Sequence, residues 1–130
     1  MNEVYEFLKN CGTYYLATTE GDQPRVRPFG TIDMFENKLY FQTGKVKDVS
    51  KQLQANPKIE LSGMLGEKWI RVQAVAIIDE RVVAKQHMLD AYPSLQENYK
   101  AEDGNIEVLY LVNSTATISS HTEAPKVIQF

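Results

Sequence analysis

With a single cysteine, Cys11, this chain of 130 residues cannot close an internal disulfide, and no second sulfur stands at zinc-ligand spacing. Cys11 reads as a small, half-buried side chain without chemistry of its own. Only two histidines are present, His87 and His121. Neither has a carboxylate or second histidine at ligand spacing, so both read as structural or solvated and no metal is expected. No apolar run approaches the roughly 20 residues needed to cross a bilayer, and the segment Met1-Asn2-Glu3-Val4-Tyr5-Glu6 is acidic where a secretory leader is basic. The expectation is a cytoplasmic domain with no membrane partner. Charge imbalance is also small: 14 basic against 17 acidic side chains, a net charge of −3, which excludes a general attraction to nucleic acid or anionic lipid. Any anion must be bound locally, so the placement of the few Arg and Lys residues becomes the useful question.

What is present is the composition of one folded domain, 43% hydrophobic and 24% charged, at a length that supports a single core. Val4, Phe7 and Leu8 recur at helical spacing, predicting a short amphipathic helix over residues 2–10 that ends near Gly12. Residues 12–19, 24–35 and 39–43 read as three antiparallel strands in a meander, joined at Glu20-Gly21-Asp22 and Glu36-Asn37-Lys38. Asp48 to Asn56 reads as a helix stopped by Pro57. Residues 58–63 and 69–79 are further strands about a turn at Gly66. Residues 82–92 predict a helix and Pro93 a short helical piece. Residues 106–119 form a last strand, apolar on both faces and therefore central, followed by a tail or edge element. Six strands with inserted helices lack the regular alternation of a doubly wound sheet, so the expected fold is mostly β, a six-stranded antiparallel barrel forming one domain over 1–130.

Two clusters carry candidate chemistry. In Pro24-Arg25-Val26-Arg27-Pro28-Phe29, strand alternation puts Arg25 and Arg27 on one face, and Pro28 belongs at an edge because it donates no ladder hydrogen bond. An arginine pair that merely discourages edge-to-edge aggregation is the competing reading. In Phe41-Gln42-Thr43-Gly44-Lys45-Val46-Lys47-Asp48, a strand passes through a glycine turn into a helix, whose N-terminus favours an anion. Lys47 and Lys51, four residues apart, are expected on one helical face, where they repel unless an anion or Asp48 relieves them. An ordinary solvated helix face competes here too. The full P-loop spacing is absent. If adjacent strands bring Arg25–Pro28 beside Gln42–Thr43, the two clusters converge on one phosphate.

These segments, together with Lys47-Asp48-Val49-Ser50-Lys51-Gln52-Leu53, Asn56-Pro57 and Trp69-Ile70-Arg71-Val72, resemble the pyridoxamine 5′-phosphate oxidase-like flavin-binding proteins. The resemblance implies a split β-barrel, a homodimer, and FMN bound in a cleft between subunits. It assigns Arg25 or Arg27 and Lys47 or Lys51 to the phosphate, and Pro28, Phe29, Gln42 and Thr43 to the flavin ring and ribityl chain. Trp69 would stand near the interface; a core anchor of its strand is the alternative. The oxidases themselves carry a Ser-Arg-Lys run where this chain has Lys47-Asp48-Val49, and a C-terminal substrate-gripping extension where this chain ends at Phe130. Vitamin B6 oxidation is therefore not expected.

Ser119-Ser120-His121 is no hydrolase site, because neighbouring strand residues point apart and no nucleophile elbow is present. With FMN bound, the cofactor supplies the hard chemistry and no acid–base dyad is required of the chain. The function read from the sequence is an FMN-dependent oxidoreductase of a small molecule, fed by a reduced nicotinamide or a similar donor. The alternatives are a flavin store or sensor without turnover, and haem or a deazaflavin in the same cleft.

Overall fold

The computed structural model describes all 130 residues, Met1–Phe130. Helix α1 (Asn2–Cys11) leads into β1 (Tyr14–Glu20), β2 (Gln23–Phe29), β3 (Asp33–Phe35) and β4 (Lys38–Gly44). Helix α2 (Asp48–Ala55), β5 (Lys58–Leu65) and β6 (Lys68–Asp79) follow. Helix α3 (Val82–Ala91), a 3-10 turn (Pro93–Glu97), β7 (Ile106–Ser119) and β8 (Lys126–Gln129) complete the chain. All strand pairs are antiparallel, in the order β2-β1-β5-β6-β7-β4-β3 with β8 added on β7. This is a split β-barrel, a mostly β fold with inserted helices. No helix is long and apolar enough to cross a membrane.

The expected six strands become eight. The run 24–35 divides because Gly30–Ile32 must carry the chain from one end of the sheet, β2, to the other, β3. The last residues form β8, with Val127 opposite Thr117 and Ile128 opposite Ala116. The expected meander is also corrected: β1 pairs with β2 and β5, whereas β4 pairs with β3 and β7. Strand β7 is central, flanked by β6 and β4, and Ile106–Leu109 is buried on both faces. Between Gln73 and Val75 the β6–β7 register shifts at a bulge, where Asn113 adopts φ 51°.

The core runs through the barrel, from Leu16 and Leu61 to Val72, Leu109 and Ala116. Helix α1 closes one end by burying Val4, Phe7 and Leu8, the residues its periodicity singles out. A satellite cluster of Tyr40, Ala84, Met88 and Val108 seats α3 on the outside of β4 and β7. The Gly30–Ile32 crossing is pinned from three directions. Tyr14 Oη donates to the Thr31 carbonyl at 2.5 Å, Gln42 N donates to Thr31 Oγ1 at 3.0 Å, and Tyr92 Oη bonds both Ile32 N and its carbonyl at 3.0 and 2.9 Å. Each bond gives a crossing residue the partner it lacks in a ladder.

Candidate functional site

A cleft of about 580 Å³ opens between the β2 edge and the start of α2. Arg25 and Arg27 enter it from the same face of β2, opposite Thr18 and Leu16 of β1. Pro28 and Phe29 continue that wall, with the Phe29 ring 5.5 Å from the ring of Phe41. Thr43, at the end of β4, and Lys47, Asp48, Val49 and Gln52 supply the other side. The convergence of the Arg25–Pro28 segment with the β4 end is therefore real, but barrel curvature and the pinned crossing produce it rather than strand pairing.

Not all of the candidates meet. Gln42 and Thr43 line an adjoining hollow that shares Pro28, Phe29, Thr43 and Lys47 with the cleft. Lys51 is exposed and lies outside the cleft lining. The expected stacking of Lys47 on Lys51 is corrected: Lys47 is the N-cap of α2, with extended φ −77° and ψ 149°, so it is not on the helical face that carries Lys51. Trp69 pairs with Met64 on the outer face of the sheet, away from the cleft, with its ring 5.0 Å from that of His121. It is not a core anchor.

The arginines are held by partners that sequence spacing does not reveal. Arg27 Nη1 donates to Thr18 Oγ1 at 2.8 Å and to the Leu16 carbonyl at 3.2 Å, while Nη2 reaches Gln52 Oε1 at 2.5 Å. Gln52 is almost fully buried, and its Oε1 also accepts from Thr18 Oγ1 at 2.6 Å. Burial first, and the Arg25 charge second, lower the Arg27 guanidinium from its usual range. Arg25 bonds Glu20 at 2.9 Å, and these bonds hold the Glu20 carboxyl below the usual carboxylate range. A polar residue beside the apolar pair Val49 and Leu53, at helical spacing, is the one signal that could have marked Gln52.

Lys47 differs from both arginines: Arg25 is paired with Glu20 and Arg27 is hydrogen-bonded to Leu16, Thr18 and Gln52, whereas the Lys47 ammonium group has neither an ion pair nor a hydrogen-bond partner in the chain. It stands at a helix start that no side chain caps, where the first backbone N–H groups have no acceptor within the helix. Three basic and two acidic side chains line the cleft, leaving one net positive charge. This arrangement suits a phosphate or another compact anion. No group of three or more His, Cys, Asp or Glu side chains is placed to hold a metal ion. His87 instead pairs with buried Asp33, Nδ1 to Oδ2 2.6 Å, a contact spanning 54 residues that local spacing hides.

An open antiparallel barrel with an anion-suited cleft at its edge defines a class of small-ligand-binding split barrels. The pyridoxamine 5′-phosphate oxidase profile matches residues 1–118. A NimC/NimA family protein from Clostridium acetobutylicum is 43% identical with a TM-score of 0.97, the match covering 100% of this chain and 92% of that one. The chain belongs to the pyridoxamine 5′-phosphate oxidase family. General Stress Protein 26 from Bacillus anthracis shares the fold at TM-score 0.73 and 19% identity, covering 98% of this chain and 99% of its own. A pyridoxamine 5′-phosphate oxidase-related, FMN binding protein from Nostoc punctiforme does so at TM-score 0.64 and 16% identity, with 97% and 90% covered. No curated protein matches the chain.

Proposed function

We propose that this protein binds FMN in the cleft and acts as a flavin-dependent oxidoreductase on a small molecule. The observation that carries the reading is the unpaired Lys47 ammonium at the uncapped start of α2, facing a wall that holds Arg25 and Arg27. FMN ends in a phosphate, and a helix start with free cations is the chemistry that holds one. The Nostoc relative described as FMN binding supports the same choice. In this reading Lys47 and the α2 N–H groups take the phosphate, Arg27 is a pre-set donor, and Arg25 exchanges Glu20 for the ligand. Pro28, Phe29, Gln42 and Thr43 border the ring and ribityl chain. When bound, FMN supplies the hydride and electron transfer, and the chain supplies position and charge.

Haem is the weaker fit, because the cleft lining offers no histidine, cysteine or methionine as an axial ligand. A homodimer belongs to the proposal. Tyr15, Val26, Met64 and Val127 are exposed apolar side chains, and strand registers place all four on the outer face of the sheet, where Trp69 also lies. A second copy on that face would bring Trp69 towards an interface.

The test is an absorption spectrum of the purified protein, followed by turnover with a reduced nicotinamide. A flavin spectrum with nicotinamide oxidation supports the enzyme. A flavin spectrum without turnover under any donor leaves a storage or sensing protein, and a Soret band overturns FMN.

A further inference from the structure

Glu107, on the central strand β7, is only 2% exposed, yet it forms no ion pair with any Lys or Arg of the chain. A buried carboxylate without a counter-charge is costly, so a neutral side chain would serve plain stability better. Its partner is Ser50 of α2, itself fully buried, whose Oγ donates to Glu107 Oε1 at 2.8 Å. The contact spans 57 residues and is the one side-chain hydrogen bond that ties the first turn of α2 to the sheet. We propose that Glu107 is a positioning residue for the anion site: by accepting the Ser50 hydroxyl it fixes the first turn of α2, and with it the direction of the Lys47 ammonium and the free N–H groups. The proposal rests on the reading of that helix start as a phosphate site.

The bonds along α2 show why the tie matters. Ser50 N donates to the Lys47 carbonyl at 3.1 Å, so the residue held by Glu107 also closes the turn that begins at Lys47. No side chain caps that turn. Farther along, Gln52 is bonded by Thr18 and Arg27, and Asn56 Nδ2 donates to Thr19 Oγ1 at 2.9 Å. Those ties reach β1 and β2, whereas Ser50 alone reaches β7, which β6 and β4 flank. Val49 and Leu53 add apolar packing to the core, but such packing is non-directional and leaves the helix free to roll. With the Ser50 tie cut, the start of α2 can shift while its end stays attached.

Glu107 acts on the anion through Ser50 and not by contact. Strand register sets it opposite Thr43, which lines the cleft, but Glu107 is not itself part of the lining. Its carboxylate accepts a charge-assisted bond, stronger than the neutral kind, at the helix end whose dipole favours negative charge. A phosphate would use that same positive end. The bond to Ser50, rather than the carboxylate charge, is therefore what favours the ligand, and a neutral acceptor should serve as well.

Fluorescence quenching titrations of FMN and riboflavin read the effect, because riboflavin lacks the phosphate. Ser50→Ala, which removes the hydroxyl, should weaken FMN about tenfold and leave riboflavin within about twofold of the parent protein. Glu107→Leu should do the same. Glu107→Gln, whose amide oxygen still accepts the hydroxyl, should bind FMN as tightly as the parent or more so. Equal losses of FMN and riboflavin, no loss in Ser50→Ala, or a Glu107→Gln as weak as Ser50→Ala would each overturn the proposal. Should Glu107→Leu fail to fold, Ser50→Ala and Glu107→Gln still make the comparison. A parent protein that binds FMN no better than riboflavin fails the phosphate reading by itself, and hydrogen exchange in the unliganded chain then judges the tie. The amides of residues 50–53 should exchange about tenfold faster in Ser50→Ala than in the parent or Glu107→Gln, and equal rates in all three would overturn it.

Discussion

Gln52 on α2 holds Arg27 on β2, with its Oε1 2.5 Å from Nη2 while the same oxygen accepts the Thr18 hydroxyl at 2.6 Å. One buried amide thus fixes the guanidinium that faces the cleft and ties the helix to the barrel edge. Gln52→Leu keeps the volume but removes the acceptor, leaving the proton of the buried Thr18 hydroxyl and Arg27 Nη2 without the oxygen they share. A loss of about 1–3 kcal/mol is expected in urea unfolding, together with weaker FMN binding. Unchanged stability would mean that solvent replaces the amide.

A second network links Asp79, Arg81, Glu36 and Tyr40. Tyr40 Oη donates to Asp79 Oδ2 at 2.8 Å, and Arg81 bridges Asp79 to Glu36. Hydrogen bonds from Arg81 chiefly, opposed by burial, hold the Asp79 carboxyl down to about 2. A depressed carboxylate stabilises the fold where it is ionised in both states, above about pH 4, and that contribution disappears as the pH falls towards 2. The gain is about 2 kcal/mol at neutral pH. Asp79→Asn should therefore lower thermal stability at pH 7, and the gap to the parent protein should close between about pH 4 and pH 2. A constant gap would assign the loss to packing.

Light scattering should give twice the chain mass of 14.8 kDa. Tyr15→Lys and Met64→Lys, both on the exposed outer face, should shift the protein towards monomer without unfolding it. A parent protein that is monomeric at all concentrations would remove the dimer from the proposal.

Hydrogen peroxide release from pyridoxamine 5′-phosphate should be absent at saturating FMN, because Lys47-Asp48-Val49 replaces the Ser-Arg-Lys run. Robust release would show that this departure carries no weight.

Much of this architecture is legible in the chain because its signals are local. The spacing of Val4, Phe7 and Leu8, the breaks at Gly66 and Pro57, and the two-faced apolar run of β7 each act within a few residues. The arginine pair is legible for the same reason, since alternation along β2 alone puts Arg25 and Arg27 together. What stays hidden depends on closure. That β2 and β4 approach without pairing follows from the curvature of the whole sheet, which no hairpin signal encodes. The Arg27–Gln52 and Asp33–His87 contacts span 25 and 54 residues, so local spacing is silent about both. Lys47 is misread as helical because a lysine gives no capping signal, and only its extended backbone separates it from Lys51.

The central claim is that the Lys47 ammonium at the α2 start holds a phosphate, and paired titrations of FMN and riboflavin by fluorescence quenching test it most directly. Lys47 is a cleaner probe than Arg27, whose removal would also disturb Thr18 and Gln52. A charge-assisted hydrogen bond contributes on the order of 1.5–3 kcal/mol, so Lys47→Ala should raise the FMN dissociation constant roughly 10- to 100-fold, less at high salt. Riboflavin, which lacks the phosphate, should bind parent and variant alike, and Lys51→Ala, outside the lining, should stay near the parent for both ligands. FMN binding that is tight and unchanged in Lys47→Ala, or an equal loss of riboflavin binding, would contradict the claim.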